Sequence, residues 1–350
     1  MGSTPVTLAE IARRAGVHVS TVSRALSPDS RGVGSATIER IRLLAEELGY
    51  LPHPAAAELR TGRSGLLGVL VPDLTDMVLS TIYAGVDARA HESAYSTFVS
   101  NTHDDLDLRG GKLEELLARR VEGVILGDAR MDGDELVEKL KRRGLPYVLV
   151  SRRLRGSPSV TTDDIAGGSL AAEHLLSLGH QDVGIVAGPT YASTAVERTH
   201  GFVKKYLESG IHLPDGRIVN GIADAPGGHA AADELLTANP EITAIFAAND
   251  FAAIGTMGAI REHGRTPGKD IAVVGYNDVP LSAYLPVPLT SVRSPMLDMG
   301  REGASMLIDL LEGRTVEPKL LKPELMARAS TVPAGVSELE DMVPAAGGGA

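Results

Sequence analysis

From residue 66 onward, short apolar runs alternate with segments of helical periodicity, and this alternation restricts the fold more than any other feature of the sequence. The apolar runs predict strands at 67–71, 97–100, 123–126, 147–150, 184–187, 244–247 and 271–275. The periodic segments predict helices at 77–92, 107–119, 134–143, 165–178, 194–209 and 250–263. Buried strands separated by helices are typical of parallel sheets built from βαβ units. The strands form a first and a second series, which predicts an α/β core of two similar lobes.

Polar side chains stand at the ends of several predicted strands. Ligands of open α/β sheets bind outside the carboxyl ends of the strands, so these side chains are expected to line a cleft between the two lobes. Asn249 has a second interpretation, because Asn at a helix start also caps the helix. The strand-end candidates are Asp73 and Asp76 after the first strand, Ser151 after the fourth, and Asn249 and Asn277 in the second series.

The net charge of −11 is distributed unevenly along the chain. Residues 1–63 hold eight Arg and six Asp or Glu, a net of +2, whereas the remainder holds 26 Lys or Arg and 39 Asp or Glu, a net of −13. A local positive field favours nucleic acid and an acidic surface repels it, so DNA contact is expected only near the N-terminus.

The sequence has no cysteine, no apolar run of about 20 residues and no signal-peptide pattern. We therefore expect a cytoplasmic protein without a membrane partner.

The first fifty residues predict three short helices. Thr7 is placed to cap the first helix, Glu10 completes a capping box, and Gly16 ends that helix. The second helix is predicted at about 19–26 and the third at 35–48. Small side chains near the turn allow the first two helices to cross closely, as a helix-turn-helix requires. A three-helix bundle without a DNA role fits the same pattern. The exposed side of the second helix offers groups suited to a major groove: Val19, Ser20, Thr21, Ser23 and Arg24.

Specific motifs of the chain resemble those of the lactose/galactose repressor (LacI/GalR) family. They are TLAEIARRAGVHVSTVSRAL from residue 7, Gly-Tyr-x-Pro after the third helix, Leu-Gly-His, Arg-x-x-Gly-Phe, Ala-Asn-Asp and Val-Val-Gly-Tyr. The resemblance implies an all-α helix-turn-helix head at 1–50, a hinge at 51–64, a two-lobed periplasmic-binding-protein-like core at 65–335 and a flexible tail at 336–350. It assigns 66–162 and 293–322 to an N-lobe, and 163–290 and 323–333 to a C-lobe. Three crossovers are expected to join these lobes.

The resemblance also implies that the second helix enters the major groove of DNA. In this interpretation Arg24 is the candidate for a bidentate guanine contact. Where the family usually has Ser as the cap of this helix, the chain has His18. Histidine is expected to cap poorly, so either the helix start is weakened or His18 contacts phosphate. The resemblance assigns Val19, Ser20 and Arg24 to bases, and Thr7, Thr21 and Ser23 to phosphate.

The hinge segment at 54–62 has Pro near its start and Gly at its end, and it is only about two turns long. A helix that short is marginal in water, so we expect it to fold only when two copies pack on DNA. Ala56 and Leu59 are the expected contacts, and the resemblance implies that Leu59 wedges into a minor-groove base step. A passive linker is the alternative. The tail lacks leucine heptads, which favours a homodimer over a coiled-coil tetramer.

The resemblance implies that Arg198, Asn249 and Asn277 hydrogen-bond a small-molecule effector, although Arg198 could also form a surface ion pair. Many members of the family carry Asp at Ser151 and Asn277, and Gln at Ser294, so neutral groups replace carboxylates here. A sugar or another polyol is the first expectation, and a nucleoside or small metabolite the alternative. The aromatic side chains available to stack on a sugar ring are Tyr191, Tyr276 and Phe251.

These features predict a DNA-binding transcriptional regulator, a repressor, whose affinity for a near-palindromic double-stranded operator is controlled by the effector. Common nucleotide-binding and hydrolase motifs are absent from the sequence, and its ten His lack metal-ligand spacing. No enzymatic activity, cofactor or metal is therefore expected. The alternative is a cytosolic sugar-binding protein or sugar-active enzyme whose head does not bind DNA.

Overall fold

The computed structural model describes residues 6–26, 32–50 and 63–331. The chain divides into two compact units, Met1–Ser64 and Gly65–Ala350, which we call the head and the core. The predicted hinge contacts Ala56 and Leu59 lie outside the described residues, and so does the predicted tail at 336–350. Among the described residues, no helix is long and apolar enough to cross a membrane.

The head contains the three predicted helices: α1 (Leu8–Ala15), α2 (Val19–Ala25) and α3 (Ser35–Glu47). The Thr7 hydroxyl accepts a hydrogen bond from the Glu10 amide at 3.3 Å, and Gly16 ends α1 in the left-handed conformation with φ 64°. The Glu10 carboxylate accepts from Arg13 and Arg14, so only the Thr7 half of the predicted capping box is seen. A small buried cluster joins the helices: Ile11, Ala12, Ala15, Val22, Ala25, Ile41 and Ala45.

The core contains two six-stranded sheets, which confirms the prediction of two lobes built on parallel sheets. The N-lobe sheet has the order β11-β5-β4-β3-β1-β2, and all its neighbouring strands are parallel. Its strands are β1 (Leu66–Val71), β2 (Ser96–Asn101), β3 (Gly123–Leu126), β4 (Tyr147–Val150), β5 (Ser159–Thr162) and β11 (Lys319–Leu321). Its helices are α4 (Met77–Glu92), α5 (Leu106–Ala118), α6 (Glu135–Arg143) and α11 (Met296–Leu311).

The C-lobe sheet has the order β12-β10-β9-β8-β6-β7, with only β10 and β12 antiparallel among the described strands. Its strands are β6 (Val183–Ala187), β7 (Ile218–Asn220), β8 (Ala244–Ala247), β9 (Ala272–Asn277), β10 (Thr290–Arg293) and β12 (Glu324–Met326). Its helices are α7 (Asp164–Ser177), α8 (Ser193–Glu208), α9 (Ala225–Ala238) and α10 (Asp250–Glu262). Short 3-10 helices span Asp215–Arg217 and Pro280–Tyr284.

The chain passes between the lobes three times, after β5, after β10 and after β11. From the sequence, the chain was predicted to return to the N-lobe at residue 293. Arg293 instead pairs with Asn277 in the C-lobe sheet, so the N-lobe resumes only with α11. This helix packs against α4, where a Cβ at Gly85 would lie 2.1 Å from the Leu297 carbonyl oxygen. Glycine is therefore required at this helix crossing, which fixes the returning segment to the N-lobe.

Candidate functional site

The candidate DNA-reading helix is α2, and His18 caps its N-terminus. The His18 Nδ1 atom accepts a hydrogen bond from the Ser20 amide at 3.3 Å and lies 2.8 Å from the Ser20 hydroxyl. A neutral imidazole can accept at Nδ1 when its proton is on Nε2. This corrects the expectation that His18 would cap poorly, since the ring nitrogen takes the place of a serine oxygen.

The exposed face of α2 contains the residues expected to meet bases. Val19, Ser20 and Arg24 are exposed, and the Arg24 Nε donates to the Ser20 carbonyl oxygen at 3.2 Å. Thr21 and Ser23 are half-buried at its flanks. This placement is compatible with the predicted roles.

Thr7, the third predicted phosphate contact, is exposed at the start of α1. Nearby, hydrogen bonds from Arg13 and Arg14 lower the pKa of Glu10 to about 2. These two arginines are therefore engaged within the head, whereas Arg24 bonds only a backbone carbonyl among the contacts of the described residues. Arg24 is the more available guanidinium for a base edge.

The candidate effector site is the cleft between the two lobes of the core. It has a narrow inner chamber of about 90 Å³ and a wider outer chamber of about 630 Å³. Asp73 lines only the outer chamber, and Asp76 reaches both. The other predicted residues line the inner chamber: Ser151, Arg198, Asn249 and Asn277. The carboxyl ends of β1, β4, β8 and β9 supply most of these positions, as expected for open α/β sheets.

Arg198 is held rigidly in the inner chamber by three contacts. Its Nε donates to Asp164 at 2.7 Å, its Nη1 donates to the Ala248 carbonyl oxygen at 2.8 Å, and its guanidinium lies 3.7 Å from the centroid of the Tyr276 ring. Burial opposes its charge, but the surrounding Asp164, Tyr276 and Asp250 together more than offset this, and the pKa of Arg198 is raised. The alternative of a surface ion pair is excluded because both partners are buried.

Asn249 serves as the cap of α10 and also lines the inner chamber, so both interpretations of this residue are compatible with its position. Its Oδ1 accepts from the Ala252 amide at 2.7 Å, and its Nδ2 donates to the Ala223 carbonyl oxygen at 2.8 Å. The neighbouring Asp250 points away from the cleft. Its carboxylate accepts from the Val279 amide and from two serine hydroxyls, and burial raises its pKa to about 6.

Several residues at the cleft have left-handed backbone conformations that side chains other than glycine rarely adopt. Ser151 has φ 65° and Asn277 has φ 101°, each where its strand ends, and His103 and Asp104 follow β2 with φ 53°. Such conformations cost about 1–3 kcal/mol each and persist where the surroundings impose them, often at functional sites. Asn277 is further tied to Ser294, whose hydroxyl lies 3.4 Å from its Oδ1.

Each described arginine that lines the two chambers already has a carboxylate partner. Arg198 pairs with Asp164, Arg152 pairs with Asp104 through two bonds of 2.7 Å, and Arg130 pairs with Asp132. Asp73 and Asp76 have no such pairing among the ion pairs of the described residues, and each instead accepts from a backbone amide. Because these arginines are paired with other carboxylates, they do not neutralise Asp73 and Asp76. The cleft therefore carries more negative charge than its arginine content suggests. No group of side chains in the described part of the chain is arranged to hold a metal ion.

Two of the three aromatic candidates for stacking on a ligand are occupied by protein. Tyr276 is fully buried beneath Arg198, and the Tyr191 ring has the Arg130 guanidinium 3.7 Å from its centroid. A Cβ at Gly167 would lie 2.0 Å from the Tyr276 hydroxyl, so glycine there is needed to seat that ring. Phe251 is half-buried and lines the outer chamber. It is the best placed of the three to meet a ligand ring.

Both units of the chain match known protein families. Residues 64–326 match the family described as "Periplasmic binding proteins and sugar binding domain of LacI family", and residues 7–53 match "Bacterial regulatory proteins, lacI family". The chain is 32% identical to the HTH-type transcriptional regulator CelR of Thermobifida fusca, over 93% of this chain and 98% of that protein. CelR is named as a regulator and not as an enzyme.

Solved structures show the same likeness. A Lac repressor dimer bound to operator and the anti-inducer ONPF is 30% identical with a TM-score of 0.86, covering 94% of this chain and 100% of that chain. A CelR–cellobiose complex is 31% identical with a TM-score of 0.72, covering 93% and 99%. With the helix-turn-helix head and the two parallel-sheet lobes described above, these matches show that the chain belongs to the LacI family of bacterial regulatory proteins.

Proposed function

We propose that this protein is a transcriptional repressor that binds a near-palindromic double-stranded DNA operator as a homodimer, with an operator affinity set by a small-molecule effector. One observation carries the proposal: the same chain presents an exposed polar face on α2 and a cleft lined by polar strand-end residues. We further infer that it acts in the cytoplasm and catalyses no reaction. A hinge at 51–64, including Ala56 and Leu59, would connect the two functions.

The effector we propose is an uncharged, hydroxyl-rich molecule of one or two rings, with a sugar or other polyol first. Support comes from the paired arginines, which leave no free cation among the described cleft residues for a phosphate or carboxylate. Asn249, Asn277, Ser151 and Asp76 offer amide, hydroxyl and carboxylate groups that suit ligand hydroxyls. The similar CelR structure holds cellobiose. A nucleoside fits the same neutral chemistry and is the second candidate.

The homodimer we propose uses an apolar surface of the C-lobe. Tyr284 is 85% exposed and Leu281 43% exposed on one 3-10 helix, beside a groove formed by Ile254, Met257 and Leu285. Large apolar side chains are costly to expose together. A second copy covering this surface would give a dimer with two heads, one for each half of a near-palindrome. The similar Lac repressor is described as a dimer on its operator.

The proposed coupling passes through the angle between the lobes. An effector shifts the population of two lobe arrangements only through its different affinity for each, with a coupling of about 1–3 kcal/mol in typical proteins. The N-lobes of the dimer would then separate or approach, and the hinge helices would melt or form. Which arrangement binds operator decides whether the effector releases or recruits DNA. Release is our expectation.

The test is a titration of the full chain with duplexes from its own upstream region, at fixed salt, by fluorescence anisotropy. Sequence-specific binding that weakens when cellobiose or another uncharged sugar is added supports the proposal. Failure to prefer any of these duplexes over random DNA at low salt would overturn it. A thermal-shift screen of neutral sugars and nucleosides, run beside it, identifies the effector because a ligand that binds the fold raises its melting temperature.

A sugar-active enzyme with a head that does not bind DNA is the second candidate, and one observation favours it. Asp73 and Asp76 both line the outer chamber; a backbone hydrogen bond from Thr75 lowers the pKa of Asp73, whereas burial raises that of Asp76. Carboxylates with separated pKa values are typical of acid–base pairs. Hydrolysis of cellobiose by the purified chain would favour this function, whereas intact sugar together with operator binding would exclude it.

A further inference from the structure

One short segment of the C-lobe, residues 191–197, makes direct contacts with the N-lobe at the mouth of the cleft. The segment follows β6 and includes the start of α8. Its partners follow three strands of the N-lobe: Asp104 follows β2, Arg130 and Met131 follow β3, and Arg152 and Arg153 follow β4. These contacts join the two lobes directly, protein to protein, and we call them the cross-lobe seam.

Tyr191 is the centre of the seam. Its ring lies beneath the Arg130 guanidinium, with 3.7 Å between the guanidinium carbon and the ring centroid, and the Arg152 guanidinium is 5.5 Å away. The Tyr191 hydroxyl donates to the Asp104 Oδ2 at 3.2 Å. Asp104 is itself fixed by two hydrogen bonds of 2.7 Å from Arg152. A single C-lobe side chain is thus enclosed by three charged N-lobe groups.

Tyr191 and Arg130 both keep the protonation states that these contacts require. Burial raises the pKa of Tyr191, with the Asp104 carboxylate adding to the effect, so the hydroxyl keeps the proton that it donates. The Asp132 carboxylate raises the pKa of Arg130 despite partial burial, so the cation over the ring stays charged. A cation on an aromatic face is attracted by the ring quadrupole, most strongly when water is excluded.

Backbone and side-chain bonds on either side of Tyr191 complete the seam. The Met131 amide donates to the Tyr191 carbonyl oxygen at 2.8 Å, and the Arg153 amide donates to the Ser193 hydroxyl at 2.8 Å. The Arg153 Nε donates to the Glu197 carboxylate at 2.8 Å. All of these bonds cross between lobes, so the lobes cannot separate at this edge without breaking them.

We propose that Tyr191 is a latch that holds the cleft closed before any ligand binds, and that it is a positioning residue for the effector site. The latch sets the fraction of molecules with closed lobes, so an effector has to act on a cleft already closed at one edge. This role fits the position of Tyr191, which lines the outer chamber with two N-lobe guanidinium groups near its ring. Only the link to the effector response rests on the proposed function; the closed state of the lobes does not.

The latch is tested by measuring the distance between the lobes in the full chain without DNA or ligand. Because the chain has no cysteine, two introduced ones can be spin-labelled cleanly, at Arg142 on α6 and Glu208 on α8, which are both exposed. Labelled chain is mixed with excess unlabelled chain, so that each dimer carries one labelled copy. Double electron–electron resonance then gives the distribution of distances between the lobes.

The labelled parent chain, in which Tyr191 is intact, should give one narrow distance distribution. Tyr191→Ala should add a second population at longer distance, and Tyr191→Phe, which keeps the ring but loses the bond to Asp104, should add a smaller one. Tyr83→Phe is the matched control, since it removes one tyrosine hydrogen bond to Thr97 within the N-lobe, and it should leave the distribution unchanged. If the Tyr191→Ala chain does not fold, Arg130→Gln tests the same cage and should also add the longer distance.

A distribution that is identical in Tyr191→Phe, Arg130→Gln and the parent would overturn the latch. This result is distinguishable from a failure of the proposed function, because the measurement uses neither operator nor effector. For the functional link, cellobiose or the sugar found by thermal shift is titrated into the variants. Weaker binding to Tyr191→Phe, with Tyr83→Phe unchanged, supports a positioning role, and equal binding to both variants contradicts it.

Discussion

Arg198 and Arg24 illustrate how the surroundings of a single guanidinium decide what it can do. Arg198 is buried and fixed by Asp164, the Ala248 carbonyl and the Tyr276 ring, so its position in the cleft is set before a ligand arrives. Arg24 is exposed and bonds only the Ser20 carbonyl among the described contacts, so it can exchange that bond for a base edge. In the proposed function, the first arginine serves a small ligand and the second serves DNA.

The Arg24 side chain is expected to read one base pair. Arg24→Ala should lose about 1–3 kcal/mol of binding at a single operator position, because a bidentate guanine contact discriminates by that amount. Binding to a set of single-base operator variants measures this loss. Thr21→Ala is the matched control, since loss of a phosphate contact weakens all sequences alike. A uniform loss for Arg24→Ala as well would contradict base recognition.

Asp250 should make the stability of the core depend on pH. Its pKa is about 6 in the folded chain, against 3.8 for an aspartate carboxyl in water, so the unfolded carboxyl releases its proton first as the pH rises. The free energy of unfolding should therefore fall by about 3 kcal/mol from this group between pH 4 and pH 6, and stay level beyond. In Asp250→Asn the amide cannot ionise, and the Ser291 hydroxyl can rotate to accept from it. Urea unfolding of both chains across this range should show the extra slope only in the parent.

At the scale of secondary structure, α2 is too short to be stable without its cap. It has seven residues, and its first turn depends on the His18 ring nitrogen, whereas α1 has the hydroxyl of Thr7. Isolated helices of this length are marginal in water. The start of this candidate DNA-reading helix is therefore held by one side-chain hydrogen bond and by the packing of Val22 and Ala25.

Removal of the His18 cap should loosen α2 without unfolding the core. His18→Ala should lower the local stability of the helix by about 1 kcal/mol, the usual cost of losing an N-cap. Amide hydrogen exchange of residues 19–25 in the full chain measures this effect. His18→Ser, which restores a hydroxyl acceptor, should return the exchange rates to those of the parent. Faster exchange in both variants would indicate that His18 acts through some contact other than the cap.

Across the whole molecule, the proposed function depends on two lobes that meet and on two copies that pair. The seam around Tyr191 joins the lobes at one edge of the cleft. The apolar surface around Tyr284 is available to join copies. Each arrangement involves residues far apart in the sequence, and in the proposed function both have to be in place for a ligand in the core to influence the head.

Disruption of the Tyr284 surface should produce monomers that bind operator poorly. Tyr284→Asp introduces a charge on the apolar surface, which is costly to bury against a second copy. Sedimentation velocity should show a shift from dimer to monomer, and operator affinity should fall at least tenfold because half of the contacts are lost. Leu207→Asp, at an exposed apolar residue of α8, is the control and should remain dimeric. A dimeric Tyr284→Asp chain would place the interface elsewhere.

Much of the architecture could be predicted from the sequence because it depends on local patterns. Strands β3, β4 and β8 and helix α4 lie at their predicted bounds, since each is a continuous apolar run or a long periodic segment. Strands β5, β7, β10, β11 and β12 and helix α11 were not predicted, and neither was helix α9. The helix opens with Ala-Pro-Gly-Gly, a pattern typical of loops, and close packing against α10 overrides that preference: a Cβ at Gly228 would lie 2.3 Å from the Ala252 carbonyl oxygen.

The sequence alone determined the alternation of strands and helices, the two lobes, the three helices of the head and the polar residues at the strand ends, because each depends on neighbouring residues. Only the tertiary structure decided the electrostatics and the closure of the cleft. Asp164 reaches Arg198 across 34 positions, and Tyr191 reaches Asp104 across 87. Such pairs form only when separate elements are packed at fixed distances, and neither periodicity nor spacing along the chain encodes that geometry.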